Sequence, residues 1–454
     1  MSEKTRTGRF SRRRMLTGGA AALGGGAAAL AGGSLIAQQG PAPAGGQAPA
    51  ILSGTQTGRT FRGLVRHSTA LDVQELTLLP IDARQVVIRS LAVAPCYTIV
   101  QGALATAPTK RAEVPNHCGY GIVEAIGAMV KRVQVGDKVV VAGTSQCGQC
   151  YQCLHGRPDY CQYTFTAQPF PPFATMRDGT RVMAQAGIGG MSEIMVAFEE
   201  YCVPVFTDLP AAEVTLLGDQ LASGFAAGHA EMRVEPGSDV AVFGCGPVGI
   251  GAIQSARVLG AAQIIAIDPI RYRREFALKM GATVALDPVA EQNIVERVRE
   301  LCKGPTDRRF AGGRDWGRSL NSAMGRGADF VVEAAGIQVF PPKVEAQPDP
   351  TNVRTVQQAW DATRMGGHVM LMGLTTQPVP FPGLQLALLG RTIHPGQQGG
   401  LHIMRDIPRY VKLIEAGKID ARSMITKRYT LDQGRDAVRD TADRTIITGV
   451  IEFA

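Results

Sequence analysis

The pattern of apolar and polar positions divides the chain into two parts. From Thr60 to about Val141, short apolar and β-branched runs are separated by Gly, Pro and Asp; the runs are TFRGLV, QVVIRSLAV, GIVEAIGA and KVVVAG. Such runs are typical of strands, so this part predicts a mostly β region of irregular, compact build. A loop-like stretch, PFPPFATMRDGT, and a further strand-like run, SEIMVAFEEYCVPV, follow later.

The pattern changes near Pro236, where strands begin to alternate with helices. DVAVFGCGPVGIGAIQSARVLGAAQIIAID predicts a strand, a Gly-rich turn, a helix and a strand, and three more apolar strands follow in KMGATVALD, GADFVVEAAG and GGHVMLMGL. This alternation predicts a parallel, doubly wound sheet. From about Gly399 the chain predicts a helix in IPRYVKLIEAGKID and a strand in TIITGVIEF.

These patterns predict an α/β protein with two domains behind a leader. We expect a leader and linker over residues 1–50, a mostly β domain over 51–220, a parallel-sheet domain over 221–397 and a return to the first domain over 398–454. The length of 454 residues suits two domains, and 45% hydrophobic and 19% charged residues are ordinary for a globular protein.

The N-terminus has the layout of an export signal. Of the net charge of +8, residues 1–37 contribute +5, from six Lys or Arg and one Glu, before a weakly apolar Gly/Ala run. The segment SRRRML resembles the twin-arginine signal of bacterial Tat export. We therefore expect transport by the Tat translocase to the periplasm or the exterior. A disordered tail and a membrane anchor are the alternatives, although the run is too rich in Gly to be strongly hydrophobic. The remaining +3 predicts no nucleic-acid partner.

A GxGxxG motif marks a dinucleotide site. Gly244, Gly246 and Gly249 follow the apolar strand VAVF and open a helical run. The first glycine allows a tight turn, the second lets the backbone approach a pyrophosphate and the third lets helix and strand pack closely. A Gly-rich core turn without a ligand is the alternative interpretation.

The acid that follows this motif favours NAD over NADP. Asp268 comes 19 residues after Gly249, at the end of the strand IIAID, where a carboxylate accepts hydrogen bonds from ribose hydroxyls and repels a 2′-phosphate. Arg271, Arg273 and Arg274 lie nearby and weaken that preference. The residues expected to bind the cofactor within this motif region are Gly244, Gly246, Val248, Gly249, Asp268 and Arg273.

Four cysteines, Cys147, Cys150, Cys153 and Cys161, have the spacing C-x2-C-x2-C-x7-C. An exported protein meets an oxidising compartment, where close cysteines normally form disulfides. Disulfides between cysteines this close would form small, strained loops, whereas four thiolates make a standard structural zinc site. Tat export carries folded proteins, so zinc and NAD can bind before the thiolates meet oxidants. The spacing therefore predicts a metal site.

Beside a dinucleotide motif, this cluster resembles the structural-zinc lobe of the zinc-dependent medium-chain alcohol dehydrogenases. The resemblance covers about residues 60–454. It implies a GroES-like catalytic domain that carries the zinc lobe, a Rossmann domain that binds NAD, and a second, catalytic zinc. We also expect a homo-oligomer, either a dimer or a tetramer. Arg444, in ADRTIITGV, resembles the late arginine of the family that contacts the cofactor pyrophosphate, with a surface arginine as the alternative.

The resemblance implies that Cys96, His117 and Asp219 are the ligands of the catalytic zinc. Cys96 lies in VAPCYT, and His117 follows 21 residues later in VPNHCGYGIVEAIG, close to the family's GHE-x-x-G-x-V-x-x-x-G. Asp219 takes a position that is usually a cysteine. Some members, including the glutathione-independent formaldehyde dehydrogenase type, have aspartate there. Three ligands with water in the fourth place would form an open catalytic zinc site.

Several positions depart from the family pattern. Cys118 replaces the acid that normally follows the ligand histidine, and Gln101 replaces the relay histidine. Thr98 keeps the position of the residue that takes the substrate proton, but Ile99 replaces the aspartate beside it. The onward proton path must therefore differ.

The predicted function is hydride transfer between an alcohol or aldehyde and NAD. Zinc would polarise the substrate oxygen and Thr98 would accept its proton. The alternative is an exported relative that keeps fold and zinc but serves as a binding or scaffold protein. The sequence leaves the substrate open between short aliphatic, aromatic and terpenoid alcohols and formaldehyde. The apolar loop Pro169–Phe173 is compatible with a pocket lining or with a merely stiffened loop.

The segment Ile337–Thr355 suggests that NAD stays bound. It follows FVVEAAG, where the formaldehyde dehydrogenase type carries an insertion over the adenine end, and its four prolines would stiffen such a cover. Little free NAD is expected outside the cytoplasm. The reduced cofactor would then be reoxidised in place by a second carbonyl substrate or an external electron acceptor. An ordinary surface insertion is the alternative.

Overall fold

The computed structural model describes residues 56–165, 170–302 and 326–454. The predicted export signal and linker, and most of an arginine-rich segment between 302 and 327, lie outside the described residues. The strands are β1 (Thr60–His67), β2 (Ala70–Leu78), β3 (Gln85–Val93), β4 (Ala112–Val114), β5 (Gly119–Ile126), β6 (Lys138–Val141), β7 (Ala174–Met176), β8 (Arg181–Ala184), β9 (Ile194–Phe198), β10 (Cys202–Pro204), β11 (Asp239–Phe243), β12 (Gln263–Ile267), β13 (Val284–Leu286), β14 (Ala328–Glu333), β15 (Thr363–Leu371), β16 (Thr392–Pro395), β17 (Ile425–Tyr429) and β18 (Thr448–Glu452).

The helices connect the two regions and cover the parallel sheet. They are α1 (Val100–Ala103), α2 (Tyr151–Leu154), α3 (Gln162–Phe165), α4 (Ala211–Val214), α5 (Gln220–Ala226), α6 (Pro247–Leu259), α7 (Arg271–Met280), α8 (Ile294–Leu301), α9 (Val353–Ala362), α10 (Gly383–Leu388), α11 (Ile403–Glu415) and α12 (Gly434–Asp443). A π-helical turn, Ala227–Met232, continues α5. In the described part of the chain, no helix has both the length and the apolar character that crossing a membrane requires.

The first region is built from two β structures. A closed barrel has the strand order β1-β2-β7-β8-β4, and a second sheet has the order β10-β6-β5-β3-β18-β17, with β9 also paired to β3. The apolar runs of the sequence form the cores of both, with Leu64, Leu76 and Val87 fully buried in the barrel region. Because β18 pairs with β3, the C-terminal strand lies in this region.

The second region is a parallel sheet of six strands in the order β13-β12-β11-β14-β15-β16. Its inner strands are almost entirely buried, as a sheet with helices on both faces requires. Strands β12 and β14 flank β11, so the chain reverses direction across the sheet beside β11. Ligands of such sheets bind at this switch point, outside the carboxyl ends of the strands. The predicted fold class, a mostly β domain with a doubly wound sheet, is confirmed.

Candidate functional site

The four clustered cysteines converge on one point. They are all free thiols, and one sulfur from each lies within 4.8 Å of the others. The turn that carries them folds around its own sulfurs, because Cys147 Sγ accepts hydrogen bonds from the backbone N–H groups of Gln149 and Cys150 at 3.4 and 3.3 Å. The backbone N–H of Cys153 donates to Cys150 Sγ at 3.5 Å. These donors stabilise negative charge on sulfur, so the residues fit a metal site.

The pKa values of the clustered thiols are consistent with a site that binds a cation. Burial and the neighbouring sulfurs raise the pKa of Cys153 to about 12, and burial also raises the pKa of Cys147. Burial opposes ionisation of Cys150 as well, yet the backbone N–H groups of Gln162 and Cys153 lower its pKa to about 6. Four thiolates cannot coexist here without a positive partner, and a divalent ion supplies one.

Cys96, His117 and Asp219 form the second convergent set, with ligand atoms also within 4.8 Å of one another. Three separate elements supply them: the chain after β3, the loop between β4 and β5, and the residue before α5. His117 Nε2 lies 3.3 Å from Asp219 Oδ2. The buried amide of Asn116 fixes the first two against each other, because its Oδ1 accepts from the backbone N–H of Cys96 at 3.3 Å.

Electrostatics at this set also favour a cation. Burial alone lowers the pKa of His117, but its hydrogen bonds to Asp219 and Cys96 outweigh burial and raise the pKa well above the usual value. The reverse holds for Asp219, whose pKa is lowered by His117 despite burial. A proton on the imidazole thus occupies the place that a metal takes when the ligands are deprotonated. One Cys, one His and one Asp suit zinc.

The structure shows the surroundings of the positions that depart from the family pattern. Thr98 Oγ1 donates to Cys96 Sγ at 3.1 Å, so the hydroxyl lies beside the ligand set. Ile99 is buried in the barrel core, and Gln101 is exposed at the rim of a pocket. Burial, with the charges of Asp219 and Cys96, raises the pKa of Cys118 well above its usual value. This buried thiol is therefore neutral where the family has an acid.

The glycine motif forms the expected turn between β11 and α6. Gly244 has φ +90°, and a side chain there would meet the backbone of Ala335. A Cβ on Gly249 would lie 1.8 Å from the Gly244 carbonyl oxygen, so helix and strand touch as predicted. Gly246 caps the N-terminus of α6 and faces open space. If this residue had a Cβ, only the Arg273 guanidinium would lie within 4 Å of it. The turn leaves room for a phosphate at the helix N-terminus.

Two adjoining pockets share the wall that this turn forms. The outer pocket is lined by Asp268 and Pro269. The inner pocket reaches Cys96, Thr98 and Val248. Gly246, Arg273 and Arg444 line both, so two cations lie where the pockets meet. We call the two pockets together the cofactor groove. Its position at the glycine turn and its central cations fit a dinucleotide with its pyrophosphate in the middle.

Backbone contacts fix Asp268 at the outer pocket. Its Oδ2 accepts from the backbone N–H of Cys245 at 2.7 Å, and its Oδ1 accepts from that of Ile270 at 2.8 Å. Arg444 is buried rather than on the surface, with its guanidinium 5.0 Å above the ring of Tyr97.

The segment Ile337–Thr355, called the strap below, borders the groove and bridges the two regions. Gln347, Pro348 and Asp349 line the outer pocket, and Val339 lines the inner one. The backbone N–H of Val339 donates at 3.1 Å to the hydroxyl of Tyr97, the residue that follows the predicted ligand Cys96.

The far side of the strap is held at the end of α12. The backbone N–H of Lys343 donates to the Asp443 carbonyl at 3.1 Å, and Arg444 Nη2 donates to Gln347 Oε1 at 3.4 Å. Phe340 packs against the barrel core. The strap leaves the parallel-sheet region and therefore contacts the first region at Tyr97, at the end of α12 and at the barrel core.

Sequence reasoning missed two residues that the structure places at these sites. Tyr97 contacts both the strap and Arg444, and Gln398 donates through Nε2 to Asp219 Oδ1 at 3.4 Å. Tyr97 follows a predicted ligand directly, which is a signal that could have found it. The loop with Phe170 and Phe173 does not line the groove: Phe170 packs on Tyr201, and Phe173 is in the barrel core.

Two family models match the chain. Residues 82–207 match the alcohol dehydrogenase GroES-like domain, and residues 247–416 match a zinc-binding dehydrogenase domain. The geraniol dehydrogenase of Castellaniella defragrans is 31% identical over 349 residues, which cover 75% of this chain and 83% of that protein. The NDMA-dependent alcohol dehydrogenase of Amycolatopsis methanolica is 29% identical over 345 residues, 74% of this chain and 83% of that protein.

Solved structures have the same fold. The benzyl alcohol dehydrogenase of Acinetobacter calcoaceticus superposes with a TM-score of 0.72 at 25% identity, over 87% of this chain and 100% of that one. The TM-score is also 0.72 for an alcohol dehydrogenase zinc-binding domain protein from Burkholderia ambifaria, at 23% identity over 87% of this chain and 99% of that chain.

Proposed function

We propose a function from one premise: the chain belongs to the zinc-dependent medium-chain alcohol dehydrogenase family. It is an oxidoreductase that interconverts alcohols and aldehydes with zinc and NAD, and this function is favoured over that of a non-enzymatic scaffold. Within it we propose that residues 51–220 and 398–454 form the catalytic domain and residues 221–397 the NAD domain. Cys147, Cys150, Cys153 and Cys161 then hold the structural zinc, and Cys96, His117 and Asp219 the catalytic zinc.

One observation carries this proposal. Cys96 and Thr98, from the metal-ligand set, line the same pocket as Gly246 and Val248, from the dinucleotide turn. A metal-held alcohol and the nicotinamide end of a cofactor would therefore meet inside one cavity. Hydride transfer needs that proximity, because the two reacting carbons must come within contact distance.

The residues divide the chemistry between them. Bound zinc and NAD supply Lewis acidity toward an alcohol oxygen and a hydride acceptor. Cys96, His117 and Asp219 would hold the metal, and Thr98 Oγ1 would accept the hydroxyl proton of the substrate while passing its own proton to water in the pocket. Arg273 and Arg444 bind the pyrophosphate, and Asp268 binds the adenosine ribose.

The test is steady oxidation of alcohols by the purified protein with the ligands replaced one at a time. Asp219→Ala and His117→Ala should abolish turnover. His155→Ala is the matched control, because that exposed side chain stacks on Tyr151 within the cysteine lobe. Full activity in the ligand variants would overturn the proposed catalytic site.

For the substrate we propose an apolar alcohol or its aldehyde. The inner pocket exposes mainly apolar side chains, among them Ile337, Val339, Leu374 and Ile447. Two relatives are named for geraniol and benzyl alcohol, which are apolar alcohols. Product formation measured with geraniol, benzyl alcohol, ethanol and formaldehyde tests this proposed substrate class. A kcat/KM for ethanol or formaldehyde above those for the two apolar alcohols would contradict this choice.

We propose further that NAD stays bound between turnovers, as in the formaldehyde dehydrogenase type. The support is the strap, whose contacts with Tyr97 and Asp443 would have to break before the cofactor could leave. An external electron acceptor or a second carbonyl substrate then reoxidises NADH in place.

Retention is tested on protein purified from its native compartment. Denaturation should release about one NAD or NADH per chain into the supernatant. If no nucleotide is released, and added NAD supports turnover with ordinary saturation, the cofactor exchanges and retention is refuted.

The export route remains a proposal that rests on the N-terminal sequence. Tat transport predicts that the mature protein reaches the periplasm or the medium and that Arg12→Lys with Arg13→Lys retains it in the cytoplasm. Cell fractionation measures this, with Arg6→Lys as the control. Export of the double variant at the normal level would refute the Tat route.

We also propose that the chain forms a homodimer or a tetramer. Strand β16 is the edge of the parallel sheet, and the helix α10 before it exposes Leu384, Leu386 and Leu388. An exposed strand edge beside an apolar patch is typical of a surface that pairs with another chain. Light scattering should give a mass of two or four chains, and Leu384→Glu should reduce it. A monomeric wild type would refute the proposal.

A further inference from the structure

An aspartate that binds a metal must be held in one orientation, which a cysteine does not require. A thiolate offers one atom, whereas a carboxylate offers two oxygens and turns about its Cβ–Cγ bond. In Asp219 the two oxygens have separate surroundings: Oδ2 faces His117 Nε2 at 3.3 Å, and Oδ1 faces Gln398 Nε2 at 3.4 Å. The carboxylate is therefore held from both sides.

The amide of Gln398 is itself oriented. Ser223 Oγ lies 2.6 Å from Gln398 Oε1 and 2.8 Å from the backbone carbonyl oxygen of Asp219, so its single proton serves one of the two acceptors. The ionised carboxylate of Asp219 decides the orientation, because it accepts a hydrogen bond from the amide nitrogen of Gln398. The flipped amide would place two acceptors face to face at Asp219, so the network selects one orientation.

The backbone around Gln398 is fixed as well. Gln398 has φ +46°, a left-handed conformation, and a Cβ on the neighbouring Gly399 would lie 2.2 Å from the Ser223 carbonyl oxygen. On the other side, a Cβ on Gly143 would come within 3.3 Å of Gln398 Nε2 and 3.2 Å of His117 Cδ2. The loop thus presses the amide between α5 and the histidine ligand.

We propose that Gln398 is a positioning residue that turns Asp219 toward the catalytic zinc. It serves the aspartate that stands where a cysteine is usual. This inference rests on the proposed catalytic site. Outer hydrogen bonds of this kind orient metal ligands, and their loss typically weakens metal affinity by roughly 10–100-fold.

The test compares zinc affinity in Gln398→Met and Gln397→Met by competition with a chelator. Methionine keeps the length of glutamine but cannot donate to Asp219. Gln397 lies on the same loop, and no side-chain hydrogen bond of it occurs among the described residues. We expect the affinity at the catalytic site to fall roughly 10–100-fold in Gln398→Met and to stay unchanged in Gln397→Met. The cysteine cluster should keep its zinc in both.

Two further measurements separate positioning from a general role in folding. Zinc-free Gln398→Met should stay folded, with a melting temperature lowered only by the loss of the amide hydrogen bonds. In an Asp219→Cys background, the Gln398 substitution should leave zinc affinity unchanged. Unaltered affinity in Gln398→Met, a zinc-free Gln398→Met that does not fold, or equal weakening in the Asp219→Cys background would each overturn the inference. A parent protein that binds only one zinc would instead refute the proposed catalytic site.

Discussion

The buried carboxyl of Glu333 makes the stability of the folded protein depend on pH. It ends strand β14, directly before the loop that lines both pockets of the cofactor groove, and it is fully buried. Its Oε1 accepts from the backbone N–H of Ala335 at 2.8 Å, and this donor and the Asn352 side chain oppose the effect of burial on the pKa. Burial raises the pKa of this carboxyl from 4.5 to about 7.

The sign and size follow from the proton count. Between pH 4.5 and 7 the folded chain binds a proton at Glu333 that the unfolded chain has lost, so stability falls as pH rises through this window. Above pH 7 the free energy of unfolding is lower by about 3 kcal/mol than below pH 4.5, which corresponds to the whole shift of the pKa. Between pH 6 and pH 8, where protonation of the predicted metal ligands interferes less, the change is about 1 kcal/mol.

The assay is chemical unfolding of the parent and of Glu333→Gln at pH 6, 7 and 8. Glutamine carries no ionisable proton, so the parent should lose about 1 kcal/mol relative to the variant across this range. Any constant cost of the substitution cancels in that difference. Glu300→Gln, at an exposed position of α8, should run parallel to the parent.

Two results would refute the reasoning. If parent and Glu333→Gln change in parallel with pH, the buried carboxyl does not hold its proton in the folded chain. If the parent gains stability relative to the variant from pH 6 to pH 8, the carboxylate is favoured by folding and its pKa is lowered. The slope of unfolding against denaturant must stay constant for either conclusion.

Three further predictions concern the proposed sites. Metal analysis should find about two zinc ions per chain. Cys150→Ser should lose one zinc and unfold at a lower denaturant concentration, because structural zinc contributes to folding. His117→Ala should lose the other zinc and its activity but keep its fold. A chain without zinc, with disulfides found by mass spectrometry, would contradict this. Asp268→Ala should reduce the kcat/KM preference for NAD over NADP by at least about tenfold, the size of a lost charged hydrogen bond; an unchanged ratio would contradict it. Tyr97→Phe should release NADH about fivefold faster, as loss of one hydrogen bond implies, and exposed Tyr151→Phe is the control; equal rates would show that the hydroxyl does not hold the strap.

Much of the fold could be predicted because its signals are local. Strands β3, β5, β11 and β14 are long apolar runs, and their burial follows directly from composition. Strands β4, β7 and β16 escaped prediction, because they have three or four residues each and take their conformation from neighbouring strands. Helix α11 begins at Ile403, four residues before the predicted start, because the Asp406 carboxylate accepts from the backbone N–H of His402 and caps an extra turn.

The candidate site shows the same division. The cysteine spacing and the glycine motif are short patterns, and a sequence displays them whole. Gln398 lies 179 residues from Asp219, so only the fold brings the amide to the carboxylate. The apolar loop around Phe170 stays open between two interpretations in the sequence, because apolar composition does not distinguish a pocket lining from a core contact.

The strap lines both pockets of the cofactor groove, and the retention of NAD proposed from it would change the kinetic order of the enzyme. If NAD never leaves, it stops being a substrate, and the chain alternates between an oxidised and a reduced form. The alcohol must leave as aldehyde before the reoxidising partner can enter the same inner pocket, because both need Thr98 and the nicotinamide end. Initial rates plotted reciprocally against alcohol, at several acceptor concentrations, should then give parallel lines, the pattern of a ping-pong reaction. Each partner in excess should inhibit competitively against the other.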